Sequence, residues 1–386
     1  MVLKVARRGD VPAFIAMEMM SAANAREAAG HGIVHLEIGQ PGTGAPAGVR
    51  AAAARALATE RLGYTEALGL PALRQRIARH YGERYGVELD WRRVVVTTGS
   101  SGAFLLAFLA AFDAGDRVAL ASPGYPAYRN ILSALGIAVV EIAVGAETRF
   151  QPTAELVAGL ATTPAGVPQG LIVASPSNPC GTMLDRAHFA ALVEECRRHA
   201  VRLVSDEIYH GITYGMTATS AVELDPEVIV VNSFSKYYAM TGWRLGWMVL
   251  PPALGRAVES LAQNLFISPP ALPQHAALAA FDCTAELEGN RERYATNRAR
   301  LLEELPKAGF DRLAPADGAF YLFADVANLT NDSTEFCRRM LVEAGVAATP
   351  GVDFDPARGH RYLRFSFAGS TAEIEEAIRR LKAWRR

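Results

Sequence analysis

The run NSFSKYYAMTGWRLGW, residues 232–247, surrounds one lysine with more chemistry than a surface lysine needs. Lys236 follows the β-branched segment VIVVNSFS, a pattern that predicts a buried central strand whose end delivers the amine into a cleft. Burial disfavours the charged ammonium, so an amine placed there can attack an aldehyde and form a Schiff base. Ser233, Ser235 and the guanidinium of Arg244 sit close to it in sequence and form a candidate anion site, because a planar guanidinium donates two parallel hydrogen bonds to a phosphate. TTGSSGAF, residues 97–104, adds a second element: Gly99, Ser100 and Ser101 lie between a strand and a helix, where free backbone N–H groups and the helix dipole attract an anion. By itself a GSSG stretch is more often a plain helix cap.

Three further segments supply polar or aromatic groups. In VRLVSDEIYH, Asp206 and Tyr209 leave the end of an apolar strand. Asp206 reads either as an ordinary helix N-cap or as an acid that keeps a pyridine nitrogen protonated, with Tyr209 donating to a neighbouring phenolate. Asn178 in SPSNPCGT ends another strand and could donate to the same phenolate. Tyr125 in SPGYPAY, held between Pro123 and Pro126, is placed either to stack on a ring or merely to pack.

These groups need a scaffold, and the pattern provides one. From residue 94 short β-rich runs (VVVTTG, DRVALASP, AVVEIAV, GLIVASPS, VRLVSDE, VIVVNSFS, LGWMVL) alternate with amphipathic segments such as 103–112 and 186–199. That alternation predicts an α/β fold with a mainly parallel sheet between helices, and the chemistry falls just after the strands, where such sheets bind ligands. Residues 11–29 read as one helix, 39–46 as a loop, and the chain after about residue 285 as charged helices alternating with strands such as YLFADV and YLRFSFA. The expected division is an N-terminal segment 1–45 belonging to a small α+β domain, a large domain 46–285, and the rest of the small domain at 286–386.

Composition excludes several alternatives. A net charge of −1 over 386 residues, with no basic run, argues against nucleic acid as a partner. The four cysteines are far apart and lack metal-site spacing, so neither a metal site nor a disulfide framework is expected, and a reducing cytoplasm is. The N-terminus lacks a signal peptide's apolar core, and no window reaches the roughly 18 to 20 apolar residues a membrane span requires.

Taken in order, YTEALGLPALR, SPGYPAY, SPSNPCGT, SDEIYH and NSFSKYYAMTGWRLGW resemble the marks of the aspartate-aminotransferase-like family of pyridoxal-5'-phosphate enzymes, fold type I, class I. The likeness covers nearly the whole chain. It implies a seven-stranded, mainly parallel sheet and a cofactor, pyridoxal 5'-phosphate (PLP), bound to Lys236 as a Schiff base. Asp206 then partners the pyridine nitrogen, Asn178 and Tyr209 the ring phenolate, and Tyr125 the ring face. Gly99, Ser100, Ser101, Ser233, Ser235 and Arg244 match phosphate contacts. Tyr64 matches a tyrosine that reaches the phosphate of the neighbouring subunit, which implies a homodimer. Arg364 in RYLRFSFA resembles the arginine that grips the substrate α-carboxylate, and Gly39 in LEIGQP a glycine whose backbone approaches that carboxylate.

The implied activity is transamination between an L-amino acid and a 2-oxo acid, with freed Lys236 as the base that moves the Cα proton. A β-eliminating C–S lyase or related lyase on the same scaffold is the nearer alternative, and a non-catalytic PLP-binding regulator the more distant one. GQPGTGAP departs from the family's G-x-P-D-F pattern, and VPAFIAMEMM is strongly apolar. Both weaken the case for a dicarboxylate. A neutral amino-acid donor, with 2-oxoglutarate or pyruvate as acceptor, is the expectation.

Overall fold

A computed structural model describes residues 3–385. The seven β-rich runs become β1 (Val94–Thr97), β2 (Arg117–Ser122), β3 (Ala138–Ala143), β4 (Gly170–Ala174), β5 (Arg202–Asp206), β6 (Ile229–Ser233) and β7 (Gly246–Val249) of one sheet. Their order is β1-β7-β6-β5-β4-β2-β3. All neighbours pair in parallel except β7, which runs antiparallel to both β1 and β6.

The runs are apolar throughout because both faces of the sheet are covered. Val94, Val96, Val230 and Val249 join one core layer, whereas Val95, Val231 and Met248 join the layer on the other side. Each fully buried valine of this kind is stabilised by about 1.5–3 kcal/mol relative to exposure, so a one-residue slip would lose that gain on both faces at once.

Parallel pairing brings the carboxyl ends of β2, β4, β5 and β6 to one edge. Asp206 ends β5 and Ser233 ends β6 there. Gly246, the first residue of β7, pairs with Ser233 and with Thr97, which keeps Arg244 at the same edge. Helix α1 (Ile15–Ala28) starts later than the sequence pattern predicts. The Asp353 carboxylate accepts from the N–H groups of Ile15 and Ala16, at 3.2 Å each, and so fixes the first turn from the far end of the chain. Helix α2 (Gly99–Ala111) opens directly beyond β1.

From residue 284 the chain forms α3 (Thr284–Glu304) and a four-stranded antiparallel sheet made of β8 (Arg312–Leu313), β9 (Tyr321–Asp325), β10 (Thr349–Pro350) and β11 (Tyr362–Ser366). A final helix, α4 (Thr371–Ala383), begins at a capping box: Ser370 N–H donates to Glu373 at 2.7 Å, and Glu373 N–H donates to Ser370 Oγ at 3.2 Å. Val34–His35 pairs in parallel with Val346–Ala347, and α1 packs on the same hydrophobic cluster as β9 and β11. Among the described residues no helix is long and apolar enough to cross a membrane.

Candidate active site

A cavity of about 610 Å³ opens at the carboxyl edge of the large sheet. One end is built for an anion. Ser100 and Ser101 in the first turn of α2, Ser235, Thr241 and Arg244 all line it. Arg244 is positioned by its own loop, with Nη1 donating to the Thr241 carbonyl at 2.9 Å. Gly99 stands behind it rather than in the cavity wall. Its φ is +68°, and a Cβ there would come within 2.5 Å of Arg244 Nη2, so only glycine lets the guanidinium lie against the helix start. Ser233 is also one layer back: its Oγ lies 2.9 Å from Ser235 Oγ and accepts from the Ser235 N–H at 3.1 Å. It orients Ser235 instead of facing the cavity.

Asp206 closes the floor. It is buried, accepts from the Ile208 N–H at 3.0 Å and accepts from the Tyr128 hydroxyl. Burial nevertheless pushes its carboxyl up to about 6 against those hydrogen bonds. Among the described residues no cation is hydrogen-bonded to this acid, and a protonated ring nitrogen would relieve it. Tyr125 lines the wall above, wedged edge-on between Phe14 at 5.7 Å and Tyr128 at 5.3 Å between ring centroids.

The Lys236 Nζ donates to the Gly39 carbonyl at 2.5 Å and lies 5.9 Å from the ring centres of both Tyr209 and Phe320. Burial, reinforced by the charges of Arg364 and Arg244, lowers its pKa to about 8. Near neutral pH a useful fraction of this amine is therefore unprotonated and nucleophilic. Gly39 admits no side chain, since a Cβ would fall 1.9 Å from the Tyr321 hydroxyl oxygen.

Arg364 projects from β11, between Leu363 and Phe365, whose side chains enter the opposite core. Its Nη1 donates to Asn178 Oδ1 at 2.9 Å, and Nη2 to the Glu37 carbonyl at 2.6 Å and the Thr349 hydroxyl at 3.2 Å. Rings of Tyr321 and Phe354 lie 4.4 and 4.8 Å from the guanidinium carbon. Nε is buried and has no partner among the described residues. Because Asn178 spends its oxygen on Arg364, its amide N–H groups remain to donate elsewhere.

The structure thus gathers Ser100, Ser101, Tyr125, Asn178, Asp206, Tyr209, Ser235, Lys236, Arg244, Arg364 and Gly39 around one cavity. Tyr64 is not among them; it is 84% exposed on the surface of the chain. Sequence reasoning missed two groups, Tyr128 and Tyr321. Tyr128 was legible in SPGYPAY, three residues beyond Tyr125 and hence on the same helical face. Tyr321 carries no local signal of a site, whereas the apolar wall from α1, with Met17 and Met20 beside Phe14, is the apolar stretch VPAFIAMEMM that the sequence displays. The anion pocket, the buried acid and the depressed amine together fit PLP, which supplies an aldehyde, a phosphate and a ring nitrogen.

Residues 31–381 match the family model described as aminotransferase class I and II. The chain is 54% identical over 385 residues to a valine–pyruvate aminotransferase of Mycobacterium tuberculosis, covering 99% of this chain and 98% of the relative. It superposes on the crystal structure of an aminotransferase from M. tuberculosis with a TM-score of 0.96 at 53% identity, over 99% of each chain. On the aspartate aminotransferase of Thermus thermophilus with maleate the TM-score is 0.92 at 32% identity, over 99% of this chain and 100% of the other. The chain belongs to the class I and II aminotransferases, PLP-dependent enzymes that transfer an amino group between an amino acid and a 2-oxo acid.

Proposed function

We propose that this aminotransferase takes neutral amino acids with apolar side chains as donors and pyruvate as an acceptor. One observation carries the reading. The cavity wall contributed by α1 and its flanks is Phe14, Ala16, Met17, Met20 and Ile38, and the only cations lining the cavity among the described residues are Lys236, Arg244 and Arg364. With the first assigned to the cofactor aldehyde, the second to its phosphate and the third to the substrate α-carboxylate, none is left for a side-chain carboxylate. The valine–pyruvate activity named for the M. tuberculosis relative supports the same choice.

In this reading PLP, when bound, supplies an electron-withdrawing ring that stabilises negative charge at the substrate Cα. The chain's residues do the rest. Arg364 and the Asn178 amide hold the substrate carboxylate, which fixes the orientation of the Cα–H bond. Lys236 Nζ would be the base that takes the Cα proton, and a pKa near 8 suits a base working near neutral pH. Asp206 would keep the ring nitrogen protonated, Tyr209 would donate to the ring oxygen, and Ser100, Ser101, Ser235 and Arg244 would anchor the phosphate.

We also assign residues 1–45 and 286–386 to one small domain beside a large domain of 46–285. The enzyme is proposed to act as a cytoplasmic homodimer in which exposed Tyr64 completes the partner's phosphate site. A fully active monomer on size-exclusion chromatography would remove that part. Steady-state rates over valine, leucine, phenylalanine and aspartate, each with pyruvate and 2-oxoglutarate, test the specificity. The expected result is a higher kcat/KM for the apolar donors; preference for aspartate overturns it.

A further inference from the structure

Tyr321 joins two parts of the site that the family motifs treat separately. It is 1% exposed, at the start of β9, and lines the cavity. Its ring lies 4.4 Å from the Arg364 guanidinium carbon, and the ring of Phe354 lies 4.8 Å from the same atom. Its hydroxyl is 2.7 Å from the Tyr209 hydroxyl, and the two rings meet edge to face with centroids 5.6 Å apart. The absence of any side chain at Gly39 leaves the space its hydroxyl occupies.

Between them the two phenols own two protons, and one hydrogen bond uses one of them. Burial raises both phenols above their ordinary range, so neither proton is lost at working pH. If Tyr209 donated to Tyr321, Tyr209 would present only an acceptor to the cavity. If Tyr321 donates, Tyr209 keeps its own proton for a group in the cavity. An anionic ring oxygen selects the second arrangement.

We infer that Tyr321 is a positioning residue with two functions: its hydroxyl orients the Tyr209 proton toward the cofactor's ring oxygen, and its ring holds the Arg364 guanidinium in the plane that receives the substrate carboxylate. The inference rests on the roles proposed above for Tyr209 and Arg364. The charged and titratable groups facing the pair are Lys236, Arg364 and Tyr125.

A donor on the ring oxygen stabilises its negative charge and favours the deprotonated form of the bound chromophore. Loosening that donor raises the pH at which the visible band changes. The test is a spectroscopic pH titration of PLP-loaded enzyme, with KM for valine measured in parallel. Tyr321→Phe is expected to raise the apparent pKa of the band by about 0.5 to 1 while leaving KM within about threefold. Tyr321→Leu is expected to raise the pKa and also to increase KM about tenfold, as the guanidinium loses one aromatic face. An unmoved band in Tyr321→Phe, with a raised pKa in Tyr209→Phe, overturns the hydroxyl role alone. An unmoved band in both removes the reading of Tyr209 as well. A KM unchanged in Tyr321→Leu but raised in Arg364→Ala overturns the ring's role alone.

Discussion

Replacing Arg364 by lysine separates charge from geometry. The guanidinium is held by several groups: Nη1 donates to Asn178 at 2.9 Å, Nη2 to the Glu37 carbonyl at 2.6 Å, and the rings of Tyr321 and Phe354 lie 4.4 and 4.8 Å from its central carbon. Lysine keeps the positive charge but cannot hold Asn178 and a carboxylate in one plane. The loss is one charge-assisted hydrogen bond to the substrate, about 1.5–3 kcal/mol, together with the orientation of Asn178. At 1.36 kcal/mol per factor of ten, kcat/KM should fall roughly 10- to 150-fold. The fall should be the same within a few-fold for valine, leucine and phenylalanine, because the group being read is the α-carboxylate common to all. Steady-state kinetics with each donor, alongside thermal unfolding to confirm that the variant folds, measure this. A loss below threefold, or a loss confined to one donor, would refute the assignment, since a residue that touches the side chain discriminates whereas one that touches the carboxylate does not.

Other outcomes follow from the same geometry. Lys236→Ala should lose both turnover and the yellow absorbance of PLP-loaded enzyme; an unaltered spectrum would place the amine elsewhere. Gly39→Ala puts a methyl 1.9 Å from the Tyr321 oxygen, and overpacking of this kind costs about 1–3 kcal/mol, readable as a lowered urea midpoint with reduced kcat/KM. His35 hydrogen-bonds Glu37 at 2.7 Å and has Glu27 at 3.3 Å, which raises its pKa from 6.5 to about 9. A raised folded-state pKa means that this stabilisation is complete below pH 6.5 and disappears as pH climbs through about 9. The melting temperature should therefore drop between those pH values more steeply in the native enzyme than in His35→Asn, and parallel curves would contradict it.

Much of this architecture was legible because it is periodic or local. Seven apolar runs with turn signals between them are enough to specify a buried parallel sheet, and parallel pairing sends Asp206, Ser233 and the chain toward Lys236 to one edge. The grouping of Ser100, Ser101, Ser235 and Arg244 was readable for the same reason, as each sits within a few residues of a strand end. What the sequence could not disclose are relations between distant segments. The start of α1 depends on a carboxylate 338 positions away at Asp353, so no local cap marks it. Tyr321 reads as one more alternating strand residue until β9 and β11 are paired and the small sheet is set against the large one. Gly39 earns its glycine only once that tyrosine is in place. Tyr64 lies exposed on the surface of the chain, and the role proposed for it depends on a second copy that no local pattern displays. Periodicity and turn chemistry act over a few residues, and sequence therefore determined the sheet and its ligand edge. The shape of the substrate wall and the aromatic grip on Arg364 arise from packing between segments hundreds of residues apart, which tertiary structure alone decides.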